Sequence, residues 1–267
     1  MDEMREPRNK FADFLKDETL TYNHLPLVHI SDGYNIEDIL TPKALKATPC
    51  KIFGRDILYM FYGKPAYRTK HAGSNFLSCH LPCEFIFRPE IISNNIKAVY
   101  PFDTGAFQNQ MYSAFFHPKS QVADFALPPS LSSVTQLVQK FYRSNEEYFH
   151  GGSRKNIDVP PLNFEVEGYL ELSRAPSHPE DGSRLRADER ASAVELHFYS
   201  DVDLKDALVG CVLPVSFLGD KGIQEALEYI NPKIIKTYNT IHKHTYESIA
   251  GKIYEIVENI YKEENYL

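Results

Sequence analysis

Apolar and polar positions along the chain form short periodic blocks rather than one sustained pattern. Residues 25–31, LPLVHIS, alternate. That places Leu27, His29 and Ser31 on one face of a strand and Val28 and Ile30 on the other. Residues 57–62, ILYMFY, are apolar throughout, as in a strand covered on both sides. Residues 83–88, 97–102, 164–173, 193–198 and 208–213 are further strand predictions. Helical spacing governs 9–17 through Phe11, Phe14 and Leu15, and the stretch after Asn35 through Ile36, Ile39 and Leu40. It also governs 130–143, which opens at Ser130, and 245–262, with Tyr246, Ile249, Ile253, Ile256, Val257 and Ile260 in one stripe. Residues 150–163 and 175–191 are polar, Gly- and Pro-bearing connections. No repeat and no linker interrupts the blocks, so they read as one α+β domain over 1–267, closing on the helix 245–262.

Composition narrows the function more than the fold. The chain has 267 residues, 29 Lys and Arg against 36 Asp and Glu, and a net charge of −7. That excludes a general nucleic-acid coat protein while leaving room for a local basic groove. The 17 Tyr and 17 Phe are what a sheet-rich core uses. Cys79 and Cys83 frame a CHLPC stretch, but no second ligand pair follows at a matching interval, so no metal is expected. The charged N-terminus, MDEMREPRNKF, has no apolar signal core, and no run approaches a bilayer-spanning length. The expectation is a cytoplasmic protein with reduced cysteines and no membrane partner.

Three separated stretches carry the candidate chemistry. The first is His29-Ile30-Ser31, then Asn35, then Ile39-Leu40. The second is LYMFYGKPAYR, residues 58–68. The third is RASAVELHFYSDVDL, residues 190–204. Taken together they resemble the DarT family of ADP-ribosyltransferase toxins, which modify DNA bases. That family opens on an H-I-T strand, has an Asn six residues after the His, and then an apolar I-L pair. Its next signature is an aromatic strand end followed by a Pro-bearing turn. Its catalytic Glu lies on a later strand, shortly after an Arg. Asp32 stands where the family often has a second His.

The resemblance implies an ADP-ribosyltransferase-like fold, two small sheets around an NAD cleft with flanking helices. It implies NAD as substrate and no metal. Glu195 takes the catalytic position. His29, Ser31 and Asn35 fall on the cofactor side, with Tyr62 or its rivals Tyr59 and Tyr67 against the nicotinamide and Arg68 toward a phosphate. A cation assisting the acceptor is Lys51 or Arg55. The family's biology implies a bacterial toxin or anti-phage effector restrained by an antitoxin protein.

Elementary chemistry agrees with these assignments. Breaking the nicotinamide–ribose bond builds positive charge on the ribose, which a fixed carboxylate stabilises. Alternation puts Glu195 with Ala193 and His197 on the open strand face and Val194, Leu196 and Phe198 in the core. Asn35 also suits a helix cap, and Asp103 and Thr104 of PFDTGAF can line a site, although turn chemistry accounts for Asp-Thr-Gly. Arg184, Arg186 and Arg190, in the loop before Glu195, suit an anionic acceptor such as single-stranded DNA or RNA. A protein side chain as acceptor, simple NAD hydrolysis, or a non-catalytic binding module on the same fold are the competing readings.

Overall fold

The computed structural model describes residues 6–16, 23–67, 77–176, 187–240 and 245–267. Its strands are β1 (Leu27–Asp32), β2 (Ala44–Leu45), β3 (Thr48–Cys50), β4 (Arg55–Tyr62), β5 (Pro82–Phe87), β6 (Ile96–Tyr100), β7 (Glu195–Phe198), β8 (Val202–Asp203), β9 (Leu208–Pro214) and β10 (Ile234–Tyr238). Its helices are α1 (Lys10–Leu15), α2 (Ile36–Leu40), α3 (Pro89–Ile92), α4 (Thr104–Gln108), α5 (Leu131–Phe141), α6 (Asn145–Phe149), α7 (Phe164–Arg174), α8 (Leu204–Ala207), α9 (Lys221–Ile230) and α10 (Tyr246–Glu263). The architecture is mixed α and β, with one main sheet and one small two-stranded sheet. The chain divides into two compact units. The first is Met1–Tyr22 with Ala98–Glu195, and the second is Asn23–Lys97 with Leu196–Leu267.

The second unit holds most of the main sheet, in the order β10-β9-β5-β1-β4-β7, with β3 paired to β4. β1 pairs antiparallel with both β4 and β5, β5 pairs antiparallel with β9, and β10 joins β9 in parallel. β5 and β9 are buried at every position, which is why PCEFIF and LVGCVLP do not alternate. α10 packs on β9 and β10, and its Ile249, Ile253, Val257 and Ile260 have no exposed surface. The small sheet pairs β2 with β8, antiparallel.

The first unit is helical, and its core is aromatic. Phe11 of α1 stacks on Phe141 of α5 and meets Tyr169 of α7 edge-on, with ring centroids 5.9 and 5.4 Å apart. Phe102, Phe116 and Phe125 form a second group, with centroid spacings of 4.8 to 5.7 Å. Such pairs add about 0.5–1.5 kcal/mol each beyond the area they bury. In this unit Phe and Tyr join α1, α5 and α7, while in the sheet Tyr62, Phe85 and Phe87 are buried, as a sheet core would use them. α5 begins where its sequence requires, the Ser130 hydroxyl accepting the Ser133 N–H at 3.2 Å.

One expected strand is a helix. Residues 164–174 form α7, with Val166, Tyr169, Leu170 and Leu172 buried. The alternation of Phe164-Glu165-Val166-Glu167 covers only four residues and is overridden by the longer helical stripe that follows. Gly168 fixes how closely this helix is approached. A Cβ there would lie 2.6 Å from the Phe115 carbonyl oxygen and 2.6 Å from the Phe116 ring.

Candidate functional site

In the first unit the candidate site is built around Glu195. PFDTGAF ends β6 and starts α4, with Asp103 at the cap position. The Asp103 carboxylate accepts the Ala106 N–H at 2.6 Å, which fixes the turn. Thr104 then faces Glu195. Its hydroxyl donates to Glu195 Oε1 at 2.6 Å, and its backbone N–H lies 3.4 and 3.3 Å from the two carboxylate oxygens. Glu195 is 2 % exposed, so the strand face expected to be open is closed over. The Asp-Thr-Gly stretch therefore combines turn chemistry with a direct contact to the candidate carboxylate.

Arg190 lies elsewhere than on the solvent-facing loop expected for an acceptor-binding cation. It is 4 % exposed. Its Nε lies 3.1 and 3.0 Å from the Asp188 carboxylate oxygens, and Nη2 is 2.6 Å from Oδ2. Nη1 reaches Asp103 Oδ2 at 3.4 Å. The Asp103 N–H also donates to the Arg190 carbonyl at 3.1 Å. Desolvation pulls the guanidinium pKa down, but the hydrogen bonds to Asp188 and the charges of Asp188 and Asp103 outweigh it and raise it on balance. Tyr112 is buried beside this group, and its ionisation is opposed first by desolvation, then by the charges of Asp103 and Asp188. Its hydroxyl has no hydrogen-bond partner among the described residues.

The second unit holds the residues assigned to the cofactor. His29 Nδ1 lies 2.9 Å from the Tyr59 carbonyl oxygen. A carbonyl only accepts, so Nδ1 carries the hydrogen, and in the neutral ring Nε2 is an acceptor. Burial lowers the His29 pKa, and the bond to Tyr59 opposes that only in part. Asn35 stands at the first position before α2, but its side chain makes no cap bond. It turns back instead, donating to Asp32 Oδ1 at 2.9 Å and Ser31 Oγ at 3.3 Å. Ser31, Asp32 and Asn35 thus form one polar cluster at the end of β1.

The rival tyrosines separate clearly. Tyr62 has no exposed surface, and its hydroxyl accepts the Leu25 N–H at 2.9 Å. Tyr67 is buried and donates to Glu84 at 2.9 Å. Neither ring is open to stack on an incoming nicotinamide, so the stacking expected of Tyr62 has no surface to act through. Tyr59 keeps a part-exposed ring, with its hydroxyl on Cys50 Sγ at 2.9 Å. Its ring lies 4.8 Å from His197, which Phe53 flanks at 4.9 Å on an edge. Lys51 and Arg55 are both exposed in and after the β3–β4 turn, and the Arg55 guanidinium lies 4.8 Å over the Tyr199 ring. Arg68, Arg184 and Arg186 lie outside the described residues.

Asp188 in the first unit and Cys50 and Tyr199 in the second were not singled out from sequence. His197 follows from alternation along the strand of Glu195, and its ring contacts with Tyr59 and Phe53 are what the sequence does not show. Asp188 carries no comparable mark, because its partner Arg190 is two residues away in a loop of mixed charge.

No family model and no curated protein matches the chain. Among solved structures it is similar to one described as Thermus sp. 2.9 DarT in complex with ADP-ribosylated ssDNA. Identity is 10 %, the alignment covers 84 % of this chain and 98 % of that one, and the TM-score is 0.42. Among the described residues no group of three or more His, Cys, Asp or Glu is placed to hold a metal, and no helix is long and apolar enough to cross a membrane.

Proposed function

We propose that this chain is an NAD-dependent mono-ADP-ribosyltransferase in which Glu195 acts at the nicotinamide–ribose bond. The observation that carries the reading is the fixed carboxylate of Glu195, buried on β7 and held by both the hydroxyl and the N–H of Thr104. It stands at the position the sequence resemblance gives the catalytic Glu. Asp103 and Asp188 pair with the Arg190 guanidinium, and the charges of Asp103, Asp188 and Glu195 all act on Tyr112, an acidic excess that favours a cationic ribose. Water exclusion strengthens that field. With 2 % of its surface exposed, Glu195 admits a ribose only when the surrounding side chains part, so binding and local opening are coupled.

In this reading Glu195 bonds a ribose hydroxyl and stabilises the positive charge as nicotinamide leaves. The acceptor then attacks the opposite side of the same carbon. The sequence resemblance assigns His29 to the adenosine side, where its Nε2 is the acceptor for a ribose hydroxyl, and of the three candidate tyrosines Tyr59 has the part-open ring. We place the acceptor among single-stranded nucleic acids, because Arg184 and Arg186 concentrate positive charge in an acidic chain just before Glu195.

The test is a labelled-NAD transfer assay offering single-stranded DNA, RNA and protein side by side, with wild type and Glu195→Gln. The substitution keeps shape and removes the charge, so transfer falls roughly a hundredfold or more while the melting temperature holds. Transfer by Glu195→Gln within a few-fold of wild type removes Glu195 from the mechanism. Label on protein alone overturns the acceptor assignment, and release of free ADP-ribose alone turns the enzyme into an NAD hydrolase.

A further inference from the structure

We propose that Arg190, with Asp188 and Asp103, is a buried brace that positions Glu195 through Thr104, and that Arg190 does not bind the acceptor. The proposal rests on Glu195 acting as described above, and it assigns the cation closest to that residue in sequence a different task from the one its loop suggests.

The connection is continuous and short. Arg190 holds the Asp103 backbone through its own carbonyl, 3.1 Å away, and the Asp103 side chain through Nη1, 3.4 Å away. Asp103 is followed directly by Thr104, whose hydroxyl fixes Glu195 Oε1 at 2.6 Å. Asp188 anchors the other edge of the guanidinium through Nε and Nη2. Nη2 also faces the Met111 sulfur at 3.4 Å. All three nitrogens of the fork are thus engaged, and the side chain is 5 % exposed, as are those of its partners within a percentage point. A phosphate would have to displace a bidentate carboxylate from a dry site, a poor exchange for a surface contact. The planar fork is what lets one side chain grip two carboxylates at once, and a lysine ammonium lacks that geometry.

Threonine supplies the last link because its hydroxyl donates to the charged carboxylate. A donor to a carboxylate favours the ionised form and restricts its rotation. The brace therefore acts on Glu195 by orientation, through the hydroxyl and the N–H of Thr104.

Removing Arg190 outright strands two buried carboxylates and risks the fold, so the test begins with Thr104, which leaves the ion triad intact. NAD cleavage without acceptor, nucleic-acid labelling and KM for NAD are measured for wild type, Thr104→Val, Thr104→Ser, Arg190→Lys and Glu195→Gln. Thr104→Val is expected to lower kcat roughly tenfold or more with KM for NAD within about twofold. Thr104→Ser restores kcat. Arg190→Lys lowers acceptor-free cleavage and labelling by the same factor, because a misaligned Glu195 slows both. Activity in Glu195→Gln means that the proposed function has failed. An inactive Glu195→Gln beside a Thr104→Val of unchanged kcat overturns the brace alone. Loss of labelling with intact acceptor-free cleavage in Arg190→Lys returns Arg190 to the acceptor.

Discussion

At the scale of single residues, what was legible was which side chains had the right chemistry, and what was not was which of them the fold would bury. His29 illustrates the first. Its strand face and its capacity to bond a ligand while the backbone holds its other nitrogen follow from LPLVHIS, and the Tyr59 carbonyl is the holding group. Tyr62 illustrates the second. ILYMFY shows no alternation, so nothing in it separates the closed ring of Tyr62 from the part-open ring of Tyr59. The choice depends on the Gly63 turn. There φ is +65° and the Gly63 N–H bonds the Pro26 carbonyl, returning the chain across Leu25. His29→Ala removes one acceptor from the adenosine side and is expected to raise KM for NAD about tenfold with kcat within threefold, the size of one hydrogen bond. Because burial lowers the His29 pKa, the wild-type KM stays flat through neutral pH. It climbs only on the acid side of the ordinary histidine value, as Nε2 gains a proton. A collapsed kcat with unchanged KM would move His29 to the breaking bond.

Elements were legible where a period ran long enough to outvote local exceptions. α5 and α10 have clear stripes and side-chain caps, and both fall within two residues of their predicted bounds. β1, β4 and β9 are apolar or alternating with turn residues at their ends. α7 failed because its first four residues alternate and because Glu165, 2 % exposed, disguises a buried position as a polar one. Gly168 in its middle also argues against a helix, at about 1 kcal/mol relative to Ala. The structure gives that glycine a packing reason, and the reason can be tested. Gly168→Ala gains the propensity term but drives a methyl to 2.6 Å from the Phe115 carbonyl, a backbone atom with nowhere cheap to go. Overpacking of this kind costs about 1–3 kcal/mol, which outweighs the gain. A fall of several degrees in melting temperature is expected, and a melting temperature at or above wild type would show that the 115–116 segment yields freely.

For the whole molecule, the chain divides into two compact units, and two of its passages between them fall inside β6 and at the start of β7. Composition could not show this, nor could it show that an acidic chain would bury one of its carboxyls in a sheet. Glu84 of β5 has no exposed surface and lies in register between Ile30 of β1 and Val212 of β9. Oε2 accepts the Tyr67 hydroxyl, while Oε1 has no hydrogen-bond partner among the described residues. Desolvation raises its pKa from 4.5 to about 8, against the smaller opposing effect of the Tyr67 bond. The folded chain therefore holds this proton where the unfolded chain has released it. The associated stability is fully present below about pH 4.5 and is lost progressively as pH rises to about 8. The amount is on the order of a few kcal/mol, large beside the margin of a typical fold. Glu84→Gln keeps the acceptor for Tyr67 and cannot ionise, so it should remove this slope. Melting temperatures of both proteins from pH 5 to 8.5 give the answer. The variant should gain on wild type steadily across that range, and a difference that stays constant with pH would mean that Glu84 is already charged in the folded sheet.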